Sequence, residues 1–173
     1  DKKTVLTLAR ISPPKKIQMF LDVARKLPEY DFIWLGGDPE HAVEELPSVY
    51  DIPSNAHLLG DVPNASNYIN LCDLFALFSN FEGLPMTIIE AMSQKKAVVA
   101  SDVGGIYELV DDSNGRLIEN DVEKACEAIK QILSDDELRS KMEDESYKKF
   151  LASFTLEKMW NGYKTIYENL TKR

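Results

Sequence analysis

The chain has 173 residues, enough for one domain with a sizeable core and too few for two full ones. With 44% hydrophobic and 28% charged residues it is not compositionally disordered, and no apolar run approaches the roughly 18 residues a membrane-spanning helix needs. A formal net charge of −9 argues against non-specific binding to nucleic acid or anionic lipid.

The chain opens on Asp1-Lys2-Lys3, with no initiator Met and no apolar signal-peptide core, and a strand-like run, Thr4 to Ala9, follows almost at once. This reads as an excised domain, with half of an active site expected to lie outside it. The turn Arg10-Ile11-Ser12-Pro13-Pro14-Lys15-Lys16 comes next, stiffened by two prolines and flanked by cations. Ile17, Phe20, Leu21, Ala24 and Leu27 then share one face of a helix that Pro28 closes. Strand-like runs follow at Phe32 to Leu35, ahead of Gly36-Gly37-Asp38, and at His57 to Leu59, ahead of Gly60-Asp61-Val62. A helix is expected over Ala65 to Leu71 and a strand over Leu74 to Phe78. After Ser79-Asn80-Phe81-Glu82-Gly83-Leu84, a helix over Pro85 to Ser93 places Pro85 near its first position, where a missing N–H costs nothing. The last strands are Ala97 to Ala100 and Arg116 to Ile118.

Beyond residue 119 the pattern changes to three helices, about 121–133, 135–151 and 155–171. Ser134-Asp135-Asp136-Glu137 supplies a capped, acidic start for the second. The third carries Leu156, Met159, Trp160, Tyr163, Ile166, Tyr167 and Leu170, a stripe that reads mainly as core, with part of it available to dock on a further domain. Most strand runs are continuously apolar, as parallel strands covered on both faces are. Alternation of such strands with helices gives an α/β, Rossmann-like three-layer sandwich with a parallel sheet of about six strands, a single domain over 1–173.

Ligands of open parallel sheets bind beyond the carboxyl ends of the strands, so the turns there matter most. Arg10 and Lys15 beside a helix start make an anion site, or a merely solvated basic turn. Gly83 permits close backbone approach, and the N–H groups of Met86 and Thr87 are free donors at a helix amino end. Glu82 just before them and Glu90 one turn beyond Met86 aim two carboxylates at one crevice, where sugar hydroxyls would supply hydrogen-bond donors. Each has a plainer alternative, a helix cap for Glu82 and an exposed helix glutamate for Glu90. Cys72 and Cys126 fit no metal spacing or disulfide framework and read as small core residues of a reducing compartment. His41 and His57 are too isolated for a metal site, and the acidic clusters at 111–112, 135–137 and 143–145 read as solvated.

With these motifs in order, the chain resembles the C-terminal, donor-binding domain of a family 4 glycosyltransferase of GT-B fold. Glu82 and Glu90 match its Glu-x7-Glu pattern, and Arg10…Pro13…Lys15 its Arg-x-x-Pro-x-Lys turn. Asp102-Val103-Gly104-Gly105-Ile106-Tyr107-Glu108 is similar to its Gly-Gly turn, and Asn114-Gly115 to the loop before the last strand. The family often has Gly where Ala9, Lys16 and Pro85 stand, and Glu where Pro14 stands, which loosens the match at the phosphate turn. The resemblance implies a retaining hexosyltransferase acting on a nucleoside-diphosphate sugar, UDP-linked on family grounds, with a glycolipid or cell-surface polysaccharide as acceptor. It implies catalytic roles for Glu82, Arg10 and Lys15, and donor contacts from Arg10, Lys15, Glu82, Gly83, Leu84, Met86, Thr87, Glu90 and Val62. Arg10 and Lys15 hold the diphosphate, Glu90 the ribose hydroxyls and Glu82 the hexose. No cofactor and no metal is expected, in keeping with the absence of Asp-x-Asp. The expected partners are the donor and an N-terminal acceptor domain of the same protein, on which the helix over 155–171 would dock. Nucleic acid is not expected. The implied location is cytoplasmic, extending to peripheral contact with the inner face of the membrane through the absent half. Another GT-B activity, such as a sugar-nucleotide epimerase or a phosphorylase, and a non-catalytic Rossmann-type nucleotide-binding module remain open alternatives.

Overall fold

Six short strands assemble in the order β3-β2-β1-β4-β5-β6, every neighbouring pair parallel: β1 Thr4–Leu8, β2 Asp31–Leu35, β3 Ala56–Leu58, β4 Leu74–Leu77, β5 Val98–Ser101 and β6 Gly115–Ile118. The computed structural model describes residues 2–171; Asp1, Lys172 and Arg173, at the ends of the expected domain, lie outside the described residues. All four residues of β4 and of β5 are buried, which is why those runs read as continuously apolar.

Alternation along the strands divides the core between two faces. Val5, Phe32, Trp34, Ala76 and Val99 pack beneath α1 (Ile17–Lys26) and α4 (Val122–Ser134). Phe20 of α1 meets Phe32 and Trp34 edge-on, at centroid distances of 5.5 and 5.2 Å. Leu6, Phe75, Leu77 and Val98 face the other way, under α3 (Met86–Ser93). Helix α5 (Asp136–Ser153) joins the layers: Met142 belongs to the first core, while Phe150 packs on the second. Asp135 caps it as expected, accepting from the Leu138 N–H at 2.9 Å. Cys72 and Cys126 are free and buried, and burial pushes the Cys72 thiol up to about 12, leaving it inert as a nucleophile.

Strand ends differ from the sequence reading by about one residue. A short helical stretch unforeseen in the sequence occupies Val43–Glu45 and α2, Leu46–Val49. Ala65–Leu71 is a 3-10 helix, entered through Asn64 in the left-handed conformation. Pro85 is the N-cap of α3, one position earlier than expected. The larger correction concerns the last helix, α6 (Leu156–Thr171). Its apolar stripe is not core: Leu156 is 77% exposed and Trp160 65%, and none of its described side chains is buried. The two core clusters on either face of the sheet are built with α1, α4, α3 and α5 and include no residue of α6. No helix among the described residues is long and apolar enough to cross a membrane.

Candidate functional site

The strand order reverses direction between β1 and β4, and the loops leaving these two neighbours face each other beyond the carboxyl end of the sheet. Backbone hydrogen bonds join them. The Lys16 N–H donates to the Phe78 carbonyl at 3.0 Å, the Asn80 N–H to Pro14 at 2.8 Å, and Lys15 bridges Ser79 in antiparallel fashion. On the other flank, the Ile11 N–H donates to Gly37 O at 2.9 Å and the Gly36 N–H to Gly60 O at 2.8 Å, tying together the loops after β1, β2 and β3. The Gly-Gly turn after β5 supports the β4 loop from behind. Gly104 has φ +55°, and a Cβ on it would lie 1.7 Å from the Glu82 carbonyl oxygen, so only glycine fits.

Within this frame, Lys15 Nζ pairs with Glu82 Oε1, and Ser79 Oγ donates to the same oxygen at 2.6 Å. The Lys15 and Glu82 side chains are 22% and 11% exposed, well below surface values. Ser79 is itself held: its N–H donates to Ser101 Oγ at 3.0 Å, its carbonyl accepts from Asn120 Nδ2 at 2.9 Å, and Ser101 Oγ donates to Asn120 Oδ1 at 2.6 Å. Arg10 is exposed and has no ion-pair or hydrogen-bond partner among the described residues. Arg10 and Lys15 therefore differ: Lys15 is already neutralised by Glu82, whereas Arg10 is free to meet an anion.

Helix α3 begins a few residues after Glu82. Its N-cap, Pro85, provides no side-chain cap, and no described residue accepts from the N–H of Met86 or Thr87. Gly83 is open, with nothing within 4 Å of where its Cβ would stand, and Leu84 and Met86 are exposed. Glu90 is partly buried between Ile89 and Ala91, and its carboxylate has no partner among the described residues. Burial holds its carboxyl above the usual glutamate value. Val62 packs on the same apolar cluster as Ile89, on the α3 side of the sheet. The structure thus brings Lys15 and Glu82 into contact, leaves Arg10 unpartnered on the loop that carries Lys15, and puts Glu90 and Val62 on the α3 flank. Ser79, Ser101 and Asn120 were not foreseen as site residues. The signal was a serine three residues before Glu82, immediately after a fully apolar strand.

A cavity of about 580 Å³ lies on the α1 flank, lined by Lys15, Lys16, Gln18, Asp38, Tyr50 and Asn80, among others. Arg10, Glu82 and Glu90 do not line it. Outside it, the loops after β1 and β4 and the start of α3 carry an exposed cation, Arg10, the Glu82 carboxylate and two N–H groups without an acceptor among the described residues, with Glu90 further along α3. That combination suits a ligand carrying both negative charge and hydroxyl groups. Among the described residues no group of three or more His, Cys, Asp or Glu side chains could hold a metal ion.

Residues 1–149 match the family model described as glycosyl transferases, group 1. Among curated proteins, the chain is 39% identical to the O-antigen biosynthesis glycosyltransferase WbnH of Escherichia coli over 116 residues, 67% of this chain and 33% of that protein. It is 31% identical over 144 residues to the N,N'-diacetylbacillosaminyl-diphospho-undecaprenol alpha-1,3-N-acetylgalactosaminyltransferase of Campylobacter jejuni, 80% of this chain and 38% of that one. Among solved structures, Anabaena HepE in complex with UDP and glucose superposes with a TM-score of 0.84 at 23% identity, covering 99% of this chain and 49% of HepE, which establishes likeness of fold. The chain spans only about a third to a half of the length of these proteins.

Proposed function

The chain belongs to the group 1 glycosyl transferases, and from that premise we propose that it is the donor-binding half of a retaining hexosyltransferase. The donor is a nucleoside-diphosphate sugar, UDP-linked, and the acceptor a glycolipid or cell-surface polysaccharide. The observation that carries this reading is the Lys15–Glu82 pair at the point where strand order reverses, with Arg10 unpartnered on the same loop as Lys15 and the N–H groups of Met86 and Thr87 free at the start of the helix that follows Glu82.

When the anomeric C–O bond breaks, negative charge grows on the departing diphosphate, and catalysis requires groups that meet this charge more strongly in the transition state than before it. Arg10 is the available cation, and the amino end of α3 offers two fixed donors. Lys15 begins in partnership with Glu82. A diphosphate arriving at Arg10 competes for Lys15, and Glu82, released in part, turns to the hydroxyls of the hexose. Glu90, partly desolvated and unpartnered, gains two ribose hydroxyls as donors. The Gly60-Asp61-Val62 stretch after β3 offers backbone contacts to the base, and Leu84 lies exposed on the loop that carries Glu82. Cationic side chains serve here in place of a divalent metal, and no cofactor is required. HepE, bound to UDP and glucose, supports the choice of donor class, and the O-antigen and undecaprenol-linked relatives support the choice of acceptor.

We further assign the exposed stripe of α6 to contact with an N-terminal acceptor domain of the same protein, with any peripheral contact with the inner face of the membrane made through that half. The 173 residues alone then bind donor weakly and transfer little. Thermal shift with free nucleotides tests the reading. UDP or GDP should raise the melting temperature, and Arg10→Ala or Glu90→Ala should abolish the rise. A rise with NAD and none with either diphosphate would instead favour a generic dinucleotide-binding module.

A further inference from the structure

Glu82 has two carboxylate oxygens in different situations. Oε1 is paired with Lys15 and accepts from Ser79, while Oε2 has no partner among the described residues. The hydroxyl that makes this distinction cannot readily move. Ser79 and Ser101 are wholly buried, and Ser79 is fixed through both its backbone N–H and its carbonyl. Asn120 spends its amide donor on Ser79 O and its amide oxygen on Ser101 Oγ, which sets the amide plane. Ser101 has one hydroxyl proton and gives it to Asn120, so it meets Ser79 only as acceptor of the N–H. The Ser79 proton is thereby left for Glu82. The three members come from the ends of β4, β5 and β6, and the ring forms only when these strands are in register.

We propose that Ser79, clamped by Ser101 and Asn120, is a positioning residue that turns Oε1 of Glu82 inward and presents Oε2 to a hydroxyl of the transferred sugar. Ser79 is too deeply buried to touch the donor and acts only through Glu82. The proposal rests on the donor reading above and adds the group that orients the sugar-recognising carboxylate. It separates two properties of the site: affinity for the nucleoside diphosphate, which Ser79 does not touch, and the additional affinity contributed by the sugar, which depends on it.

Isothermal titration of this chain with UDP, UDP-glucose, UDP-N-acetylglucosamine, GDP and GDP-mannose reads both properties. For the nucleotide sugar that the parent binds best, Ser79→Ala should cut the ratio of sugar-nucleotide affinity to free-diphosphate affinity by about tenfold, the weight of one hydrogen bond to a charged group. Affinity for the free diphosphate should stay within about twofold, because the cation and amide donors are intact. Asn120→Ala, at the accessible end of the ring, should shift the ratio the same way by a smaller factor, and it carries the test should Ser79→Ala fail to fold. Combining Ser79→Ala with Glu82→Gln should give no further loss beyond Glu82→Gln alone. Unchanged ratios in both single variants, or additive losses in the double variant, would overturn the positioning role. A parent that binds diphosphate with no gain from the sugar overturns it too, while sparing the donor reading. A parent that binds none of the five ligands overturns the donor reading and this inference together.

Discussion

The loop cluster at residues 79–105 and the helix α6 carry comparable numbers of striking side chains and meet opposite fates. In the first, Glu82, Ser79 and Ser101 are linked group to group and tied to Lys15 and Asn120 from neighbouring loops, and a glycine is pressed against the backbone it supports. In the second, Leu156, Met159, Trp160, Tyr163 and Tyr167 all stand exposed. The first region is linked internally but leaves the side chains of Arg10 and Glu90 and the N–H groups of Met86 and Thr87 without partners among the described residues, which is the ground for proposing a small polar ligand there. The second presents a row of exposed apolar side chains on one helix, which is the ground for proposing a protein partner there. Unmet hydrogen-bonding capacity and unmet apolar area therefore point to different kinds of partner.

Substitutions can break this contrast. Gly104→Ala should have the largest effect, since it combines a left-handed backbone with a direct clash on Glu82 O. A loss of about 2–4 kcal/mol in urea unfolding is expected, together with loss of donor binding. Its counterpart is Gly162→Ala in α6, where nothing lies within 4 Å and helix propensity alone operates; there a gain of about 0.5–1 kcal/mol is expected. Arg10→Ala should weaken nucleoside-diphosphate binding by roughly tenfold to a hundredfold in titration calorimetry. It should leave the melting temperature nearly unchanged, because the side chain has no partner to lose.

Glu90 gives a pH test. Burial raises its folded-state pKa, and in the proposed donor complex ribose hydroxyls donate to its ionised form. Donor affinity should be full above that raised value and fall as the pH drops through it, and Glu90→Gln should flatten this part of the profile. The smallest effect belongs to the α6 stripe. Trp160→Ser or Leu156→Ser should change the stability of this chain by no more than about 0.5 kcal/mol, as measured by thermal unfolding.

The layered fold was legible because buried parallel strands must be continuously apolar, as Leu74 to Leu77 and Val98 to Ala100 are, and because Ile17 to Leu27 has a clean helical face. Arg10, Lys15 and Glu82 stand out as charged residues in turns that follow such strands, and Glu90 as a carboxylate one turn into the next helix. The pairing of Lys15 with Glu82 was not legible, since it depends on β1 and β4 being neighbours although residues 9–73 separate them in sequence. The Ser79–Ser101–Asn120 ring was hidden for the same reason, being assembled from three strand ends. The stripe on α6 was read as core because periodicity reports that a helix face wants cover, and it carries no information on whether the same chain provides that cover.

The central claim is that the crevice between the β1 and β4 loops grips a nucleoside diphosphate. Its most direct test is amide NMR of the 15N-labelled chain titrated with UDP and then with GDP. The account predicts that the signals of Met86 and Thr87 shift most, followed by Arg10, Lys15 and Glu90. Shifts confined to Gln18, Met19, Asp38 and Tyr50 around the neighbouring cavity, or no shifts with either nucleotide, would contradict it.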